Sequence, residues 1–367
     1  MNTKAMKELI IGNLTARIPI IQGGMGVGIS ISGLASAVAK QGGIGVISAV
    51  GIGMFEPDFF SNYIEANIRA LRKEIQKARE KSNGILGVNI MVATSDFAEM
   101  VETAIDEGID IIFSGAGLPL NLPKYLNGST KTKLVPIVSS GRAASLITKR
   151  WFEKYNYVPD AMVVEGPMAG GHLGFKAEQI NNPEYSLENL VTNVIKELKP
   201  FEEKFTRSIP VIAAGGIYSG EDIYKMMQLG ASGVQMATRF VTTDECDASD
   251  EFKNSYIESK KEDIGIINSP VGMPGRAIMN KFIHDVKGGE KKPFKCPYHC
   301  IITCNYKDSP YCIILALMNA KKGRLKHGFV FAGENAYKTN EIIPVSELIK
   351  TIEKEYADAF DTHNTDE

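Results

Sequence analysis

The chain has 367 residues, of which 44% are hydrophobic and 23% are charged. This balance is typical of a globular protein and excludes collagen-like, coiled-coil and low-complexity chains. A formal net charge of -2 provides no positive field to hold a nucleic acid backbone. No apolar run is long enough for a secretory signal or a membrane span, so we expect a cytoplasmic protein that binds neither nucleic acid nor a membrane.

Short apolar runs rich in β-branched residues recur along the chain, and helical patterns separate them. This alternation is typical of parallel strands joined by crossover helices. The runs are IPIIQ (18–22), GGIGVISA (42–49), LGVNIMV (86–92), IDIIFSG (109–115), LVPIVSS (134–140), AMVVEG (161–166), PVIAAGG (210–216) and GVQMATRF (233–240). Eight strands close an α/β barrel, so we predict the TIM (β/α)8 barrel, with a doubly wound open sheet as the alternative.

One predicted helix has clear signals at both ends. It follows the seventh run, with Ser219 as its N-cap and Gly230 at its end. Acidic Glu221 and Asp222 occupy its first turn, where they complement the helix dipole. We therefore expect a helix from about 219 to 230.

The chain after the eighth run departs from the repeating pattern. Residues 241–343 contain a predicted helix and then loops rich in Pro, Gly and Lys, which indicates an insertion or cap. Residues 344–367 begin with apolar residues at helical spacing, which predicts a helix and tail packing on the barrel. We therefore divide the chain into a barrel at 1–240, a cap at 241–343 and this C-terminal segment at 344–367.

Glycine is abundant, at 35 residues, and much of it follows predicted strands. QGGMGVG, EGPMAGGHLG and AAGGI follow the first, sixth and seventh runs. Active sites of barrels lie at these strand ends, and glycine there lets backbone N–H groups approach a flat ring or a phosphate. The loops AGGIYSG and MATRF occupy the usual phosphate position, so they predict a phosphorylated cofactor.

His172 is the only one of five histidines that follows a predicted barrel strand in a glycine-rich loop. A neutral imidazole at this place can take a proton from a substrate near pH 7. The alternative is a hydrogen-bonded structural histidine. The adjacent AGG favours a catalytic role beside a flat cofactor.

Four cysteines lie within seventeen residues, in CPYHCIITCNYKDSPYC. They are Cys296, Cys300, Cys304 and Cys312. The spacing would align the first three on one helix face and falls in the range of metal ligands, although Pro297 argues against a regular helix. Reduced cysteines also pack well as small apolar groups. No metal is firmly predicted, and the four cysteines are candidates for metal or iron–sulfur ligation.

Six strings, in order along the chain, resemble one enzyme family. They are PIIQGGMGVGIS, LGVNIMV, SGAGLP, EGPMAGGHLG, PVIAAGGI and GASGVQMATRFV. They resemble the nitronate monooxygenases, formerly the 2-nitropropane dioxygenases, and their relatives, the FMN-dependent enoyl-ACP reductases. The resemblance spans about residues 17–245 and implies a TIM barrel that binds FMN without a covalent link, with His172 as the catalytic residue.

The resemblance also implies the contacts to FMN. The predicted ring contacts are Gly23, Gly24, Met25, Asn89, Ala169, Gly170 and Gly171. The predicted contacts to the ribityl phosphate are Gly215, Gly216, Gln235, Met236, Ala237 and Thr238. Many family members have a lysine or another polar residue after the fifth strand, whereas this chain has VSSGRAA, so Ser139, Ser140 or Arg142 would substitute. Of these three residues, we expect Ser139 to contact FMN.

Three functions follow as hypotheses. The first is an FMN-dependent nitronate monooxygenase that oxidises nitroalkanes or nitronates with O2 to a carbonyl compound and nitrite, with His172 as base. The second is an enoyl-ACP (enoyl thioester) reductase that uses FMN and NAD(P)H, motivated by the loop SPVGMPGRA and the lysines of the cap. The third is a non-catalytic flavin- or metal-binding module, motivated by the cysteines. The expected partner is a small-molecule substrate, and assembly as a homodimer stays open.

Overall fold

The computed structural model describes residues 5–292, 294–296 and 299–364. A short antiparallel hairpin comes first, formed by β1 (Leu9–Ile11) and β2 (Leu14–Ala16). Its residues Leu9, Ile11 and Ala16 are buried together with residues from inside the barrel, among them Phe113. The hairpin closes the end of the barrel where the strands begin, opposite to the end where the sequence predicts the active site.

Eight parallel strands form the centre of the molecule. They are β3 (Ile20–Gln22), β4 (Gly45–Ser48), β5 (Leu86–Met91), β6 (Ile111–Gly115), β7 (Lys133–Val138), β8 (Met162–Glu165), β10 (Val211–Ala214) and β11 (Gly233–Met236). From β4 onwards each barrel strand pairs with the next, and β11 pairs with β3. A parallel bridge between Ile21 and Ile44 joins β3 to the start of β4. The predicted TIM barrel is confirmed.

Helices cover the outside of the barrel. They are α1 (Ser32–Lys40), α2 (Tyr63–Lys81), α3 (Phe97–Asp106), α4 (Gly141–Tyr155), α5 (Leu187–Phe205), α6 (Gly220–Gln228) and α7 (Thr238–Val241). Only the first half of the eighth apolar run forms a strand, because β11 ends at Met236 and α7 begins at Thr238.

The predicted signals of α6 are confirmed. The Ser219 hydroxyl accepts a hydrogen bond from the Asp222 N–H at 3.2 Å, and the Asp222 carboxylate accepts one from the Ser219 N–H at 2.9 Å. This reciprocal pair is a capping box. At the other end, Gly230 adopts a φ of +99°, which suits glycine after a helix.

The segment after α7 covers the C-terminal face of the barrel. Its elements are α8 (Asp250–Ile257), β12 (Ile264–Asn268), β13 (Pro274–Ile278), α9 (Lys281–Lys287) and α10 (Ile313–Lys321). The helix predicted at the start of this segment, in TTDECDASDEFKNSYIESKKEDIG, is shorter than the pattern suggested, since α8 is the only α-helix there. β12, β13 and the short strand β9 (Gly171–His172) form a three-stranded antiparallel sheet. This sheet ties the cap to the loop after β8.

A last helix, α11 (Val345–Asn364), packs against α6 and α1. The contact with α6 is tight, because a Cβ on Gly220 would lie 2.2 Å from the Tyr356 nitrogen. Arg239 on α7 also pairs with Glu355 of this helix at 2.9 Å. Within the described residues, no helix is both long and apolar enough to span a bilayer.

Candidate active site

A cavity of about 400 Å³ lies between the C-terminal ends of the barrel strands and the cap. It lies at the end of the barrel where the fold forms active sites. All the residues predicted to bind the cofactor or to act in catalysis line it: His172, Gly23, Gly24, Met25, Asn89, Ser139, Ala169, Gly170, Gly171, Gly215, Gly216, Gln235, Met236, Ala237 and Thr238. The structure therefore brings the predicted set together, while their roles stay a prediction.

Asn89 and Gln235 lie below the glycine pair that follows β3. A Cβ on Gly24 would lie 2.4 Å from the Cβ of Asn89, and a Cβ on Gly23 would lie 3.3 Å from the Cγ of Gln235. A side chain at position 24 would therefore collide with Asn89, and one at position 23 would crowd Gln235. Both amides line the cavity, and neither forms a side-chain hydrogen bond within the described residues.

A third polar side chain at this level, Glu165, was not predicted. On β8, Val163 packs inside the barrel and Val164 packs outside it, so the alternation of the strand directs Glu165 inward. Burial raises the pKa of Glu165 to about 7. We call Asn89, Glu165 and Gln235 the floor of the cavity.

The loop after β10 provides backbone groups at the edge of the cavity. Gly215 has a φ of +88° and Gly216 a φ of +97°, which other residues rarely adopt. The Asn335 side chain donates a hydrogen bond to the Gly216 carbonyl at 2.7 Å and fixes the loop from the cap side. Thr238 begins α7 beside this loop and also lines the cavity. Such loops bind phosphate through backbone N–H groups.

His172 faces the cavity from the side of the cap. Its Nε2 lies 2.7 Å from the Ser269 hydroxyl, and Phe331 contacts the ring edge-on with centroids 5.0 Å apart. Strand pairing with Gly275 holds its backbone. Burial lowers the pKa of His172 to about 4, so the imidazole is neutral at pH 7 and can accept a proton. Ser269 begins the loop SPVGMPGRA, but its contact with His172 could not be predicted because the two residues are 97 positions apart.

Arg276 on β13 locks the loop that precedes His172. The side chain is buried and donates hydrogen bonds to the carbonyls of Pro167 and Ala169. It also pairs with the Glu334 carboxylate at 2.7 Å. The predicted ring contacts at the AGG segment are therefore held in place by the cap.

The remaining wall of the cavity is mostly apolar. We call it the apolar wall; its residues come from the cap: Val271, Met273, Ile301, Ile313, Ile314, Leu317 and Phe331. The titratable groups among the described cavity residues are Glu165, His172 and Tyr256. The site therefore combines a polar floor, a neutral imidazole and a surface suited to an alkyl group.

Three polar residues after β7 are candidates to contact the cofactor, and the structure places them differently. Ser139 lines the cavity, and its hydroxyl donates to the Gly174 carbonyl at 3.2 Å. Ser140 instead caps α4 by accepting from the Ala143 N–H. Arg142 is exposed. Only Ser139 is placed to contact a ligand in the cavity.

The four candidate cysteines lie in the cap and do not line the cavity. The described residues from 296 to 304 form no helix, and Pro297 lies outside the described part. Burial raises the pKa of Cys300, Cys304 and Cys312, which favours the thiol over the metal-binding thiolate. No group of three or more His, Cys, Asp or Glu side chains in the described ranges is arranged to hold a metal ion.

Comparison with known proteins identifies the family. The family model described as nitronate monooxygenase matches residues 7–355. The chain belongs to the nitronate monooxygenase family. A probable nitronate monooxygenase of Staphylococcus saprophyticus is 27% identical over 301 residues, which cover 75% of this chain and 79% of the relative. A probable nitronate monooxygenase of Staphylococcus aureus is 28% identical over 306 residues, 76% of this chain and 80% of the relative.

The similarity to solved structures extends over the cap as well as the barrel. FabK from Thermotoga maritima has a TM-score of 0.74 at 28% identity, covering 95% of each chain. A nitroalkane oxidase from Streptomyces ansochromogenes has a TM-score of 0.72 at 20% identity, covering 95% of this chain and 98% of that one, and shares the fold. Membership of the nitronate monooxygenase family makes the chain an enzyme, a flavin oxidoreductase of this type. The third hypothesis, a non-catalytic binding module, is therefore wrong.

Proposed function

We propose that the chain is an FMN-dependent nitronate monooxygenase that oxidises small nitroalkanes or nitronates with O2 to a carbonyl compound and nitrite. The observation that supports it most is the neutral His172 facing a glycine-lined cavity with a polar floor, in a member of this family. A base beside a flat cofactor is what proton abstraction next to a nitro group requires.

The cavity residues fit a flavin mononucleotide. The floor offers amide and carboxyl groups that have no side-chain hydrogen bond within the described chain, which suits the polar edge of a flavin ring. The glycines after β3 and β10 leave room for a ring and a phosphate. Arg239 is already paired with Glu355, so backbone N–H groups near Gly216 and the Thr238 hydroxyl would hold the phosphate.

The residues of the chain divide the remaining work. A bound flavin would supply the electron transfer between substrate and oxygen. His172 would accept the proton from the carbon next to the nitro group, or orient a nitronate that arrives already deprotonated. The Ser269 hydroxyl at 2.7 Å holds the imidazole, and the apolar wall packs the alkyl group and excludes water.

Nitrite release under air tests this proposal. Purified protein with bound FMN should release nitrite from an alkyl nitronate and from the neutral nitroalkane, and the H172N variant with equal FMN content should release it from the nitroalkane at least about a hundredfold more slowly. Protein that holds FMN but releases no nitrite would reject the proposal.

An enoyl thioester reductase that uses NAD(P)H is the second candidate. The match to FabK over 95% of both chains, which includes the cap, favours it together with the apolar wall, which suits an acyl chain. Under anaerobic conditions, NADH or NADPH should then bleach the flavin, and an enoyl thioester should restore its colour. A flavin that stays oxidised with both nicotinamides would exclude this activity.

A further inference from the structure

Glu165 is a carboxyl group in an unusual position. It ends β8, points into the barrel and lines the cavity together with the two amides of the floor. Among the described cavity residues it is the only one with an acidic side chain. Barrel residues at the C-terminal ends of strands are those that meet the ligand in this fold.

No charge of the opposite sign compensates Glu165. On β10 the apolar Ala214 pairs with Glu165, and on β7 Val138 pairs with the preceding Val164, so neither neighbouring strand places a charged residue in register with Glu165. Across the cavity the other titratable groups are His172, which is neutral at pH 7, and Tyr256, whose hydroxyl donates to the Phe331 carbonyl at 2.8 Å. No cationic side chain of the described residues lines the cavity.

A carboxyl group in such surroundings holds its proton to a higher pH than an exposed carboxyl group does. Desolvation disfavours the charged form, and no nearby donor or cation offsets that cost, which is why its pKa rises to about 7. A protonated carboxyl can donate a hydrogen bond, whereas a carboxylate can only accept. The flavin ring presents carbonyl oxygens and ring nitrogens that accept hydrogen bonds.

We propose that Glu165 contacts the flavin ring as a neutral carboxylic acid that donates a hydrogen bond to it, and that ionisation of Glu165 weakens FMN binding. This inference rests on FMN as the cofactor of the proposed function. It assigns the donor to a residue that the sequence motifs did not single out. Since the protonated form binds more tightly, affinity is constant below the pKa of the free protein and falls as the pH rises above it.

FMN binding to apoprotein between pH 5.5 and 9 tests the inference. The dissociation constant of the wild type should be level at low pH and then rise by up to about tenfold per pH unit above roughly pH 7. The E165Q variant keeps the size and a donor but has no proton to lose, so its affinity should not change in that range beyond the change the FMN phosphate causes in every variant. E178Q, which alters an exposed glutamate, is the matched control and should follow the wild type.

A spectroscopic measurement covers the case in which E165Q does not fold. The absorption band of FMN bound to the wild type should shift with a midpoint above pH 7, as the charge below the ring changes. Identical pH dependence in wild type and E165Q, or a wild-type band that does not move up to pH 9, would overturn the inference. Either of those outcomes with FMN still bound leaves the proposed function standing, whereas failure to bind FMN at every pH rejects the proposed function itself.

Discussion

Replacing Arg276 with Ala should destabilise the protein and loosen the loop that bears His172. The guanidinium is buried and serves two carbonyl groups, those of Pro167 and Ala169, as well as Glu334. Leaving a buried carbonyl without a donor costs about 1–3 kcal/mol. The Glu334 side chain is 33% exposed, so water compensates much of its loss, and that pair contributes about 1 kcal/mol at most. We expect R276A to lower the free energy of unfolding by about 3 kcal/mol.

Urea unfolding of the apoprotein measures this change, and E334Q provides the matched control. In E334Q the guanidinium keeps both carbonyl partners, so the loss should stay below about 1 kcal/mol. Amide hydrogen exchange at Gly170 and Gly171 should accelerate in R276A and not in E334Q, because only the first variant releases the loop. An R276A protein within about 0.5 kcal/mol of the wild type would refute the reasoning, as would equal losses in the two variants.

Three further predictions concern titration and helix capping. Burial lowers the pKa of His172 to about 4, so kcat/KM for a nitroalkane should stay level down to about pH 5 and fall near pH 4. A fall in kcat/KM centred near pH 6.5 would contradict this prediction. In the apoprotein, His172 makes stability fall as the pH drops from 6.5 towards 4, whereas Glu165, with its pKa raised to about 7, makes stability fall as the pH rises from 4.5 to 7. These two slopes oppose each other, and E165Q lacks the second one. In urea titrations between pH 5 and 6.5, the free energy of unfolding of E165Q relative to the wild type should therefore rise by up to about 1.4 kcal/mol per pH unit. Parallel curves for the two proteins would count against this prediction. S219A should lose about 1 kcal/mol by removing the cap of α6, and an unchanged thermal midpoint would disprove the capping contribution.

The barrel could be predicted because its signals are local. Each strand is a short apolar run that ends where the next helix or loop begins, and eight such runs leave few alternatives. The helix α6 is an instance at single-residue level, since Ser219 and Gly230 act as predicted. Strand ends meet at one face of a parallel barrel, and this rule alone brings the glycine-rich loops together.

Residues that depend on pairing between distant segments could not be predicted. The hairpin β1–β2 is too short to give a periodic signal, and its burial depends on filling the start of the barrel. Ser269 reaches His172 only because β13 pairs with β9. Glu165 could have been found by counting alternate residues along β8, which places it in register with the inward Val163.

The cap was the least predictable segment. Its Pro, Gly and Lys residues indicate loops, but not which side chains turn towards the barrel. The apolar wall includes Ile301 and Ile313, each of which directly follows a cysteine. The cysteines attracted attention as candidate ligands, whereas the structure places their neighbours at the cavity.

Nitrite release from an alkyl nitronate under air, by protein with a measured FMN content, is the most direct test of the proposed activity. We expect the wild type to turn over repeatedly and, with the neutral nitroalkane as substrate, H172N to be slower by a factor of about 10²–10⁴ at the same FMN content. Absence of nitrite from the FMN-loaded wild type, or equal rates in the wild type and H172N with the neutral nitroalkane, would contradict it.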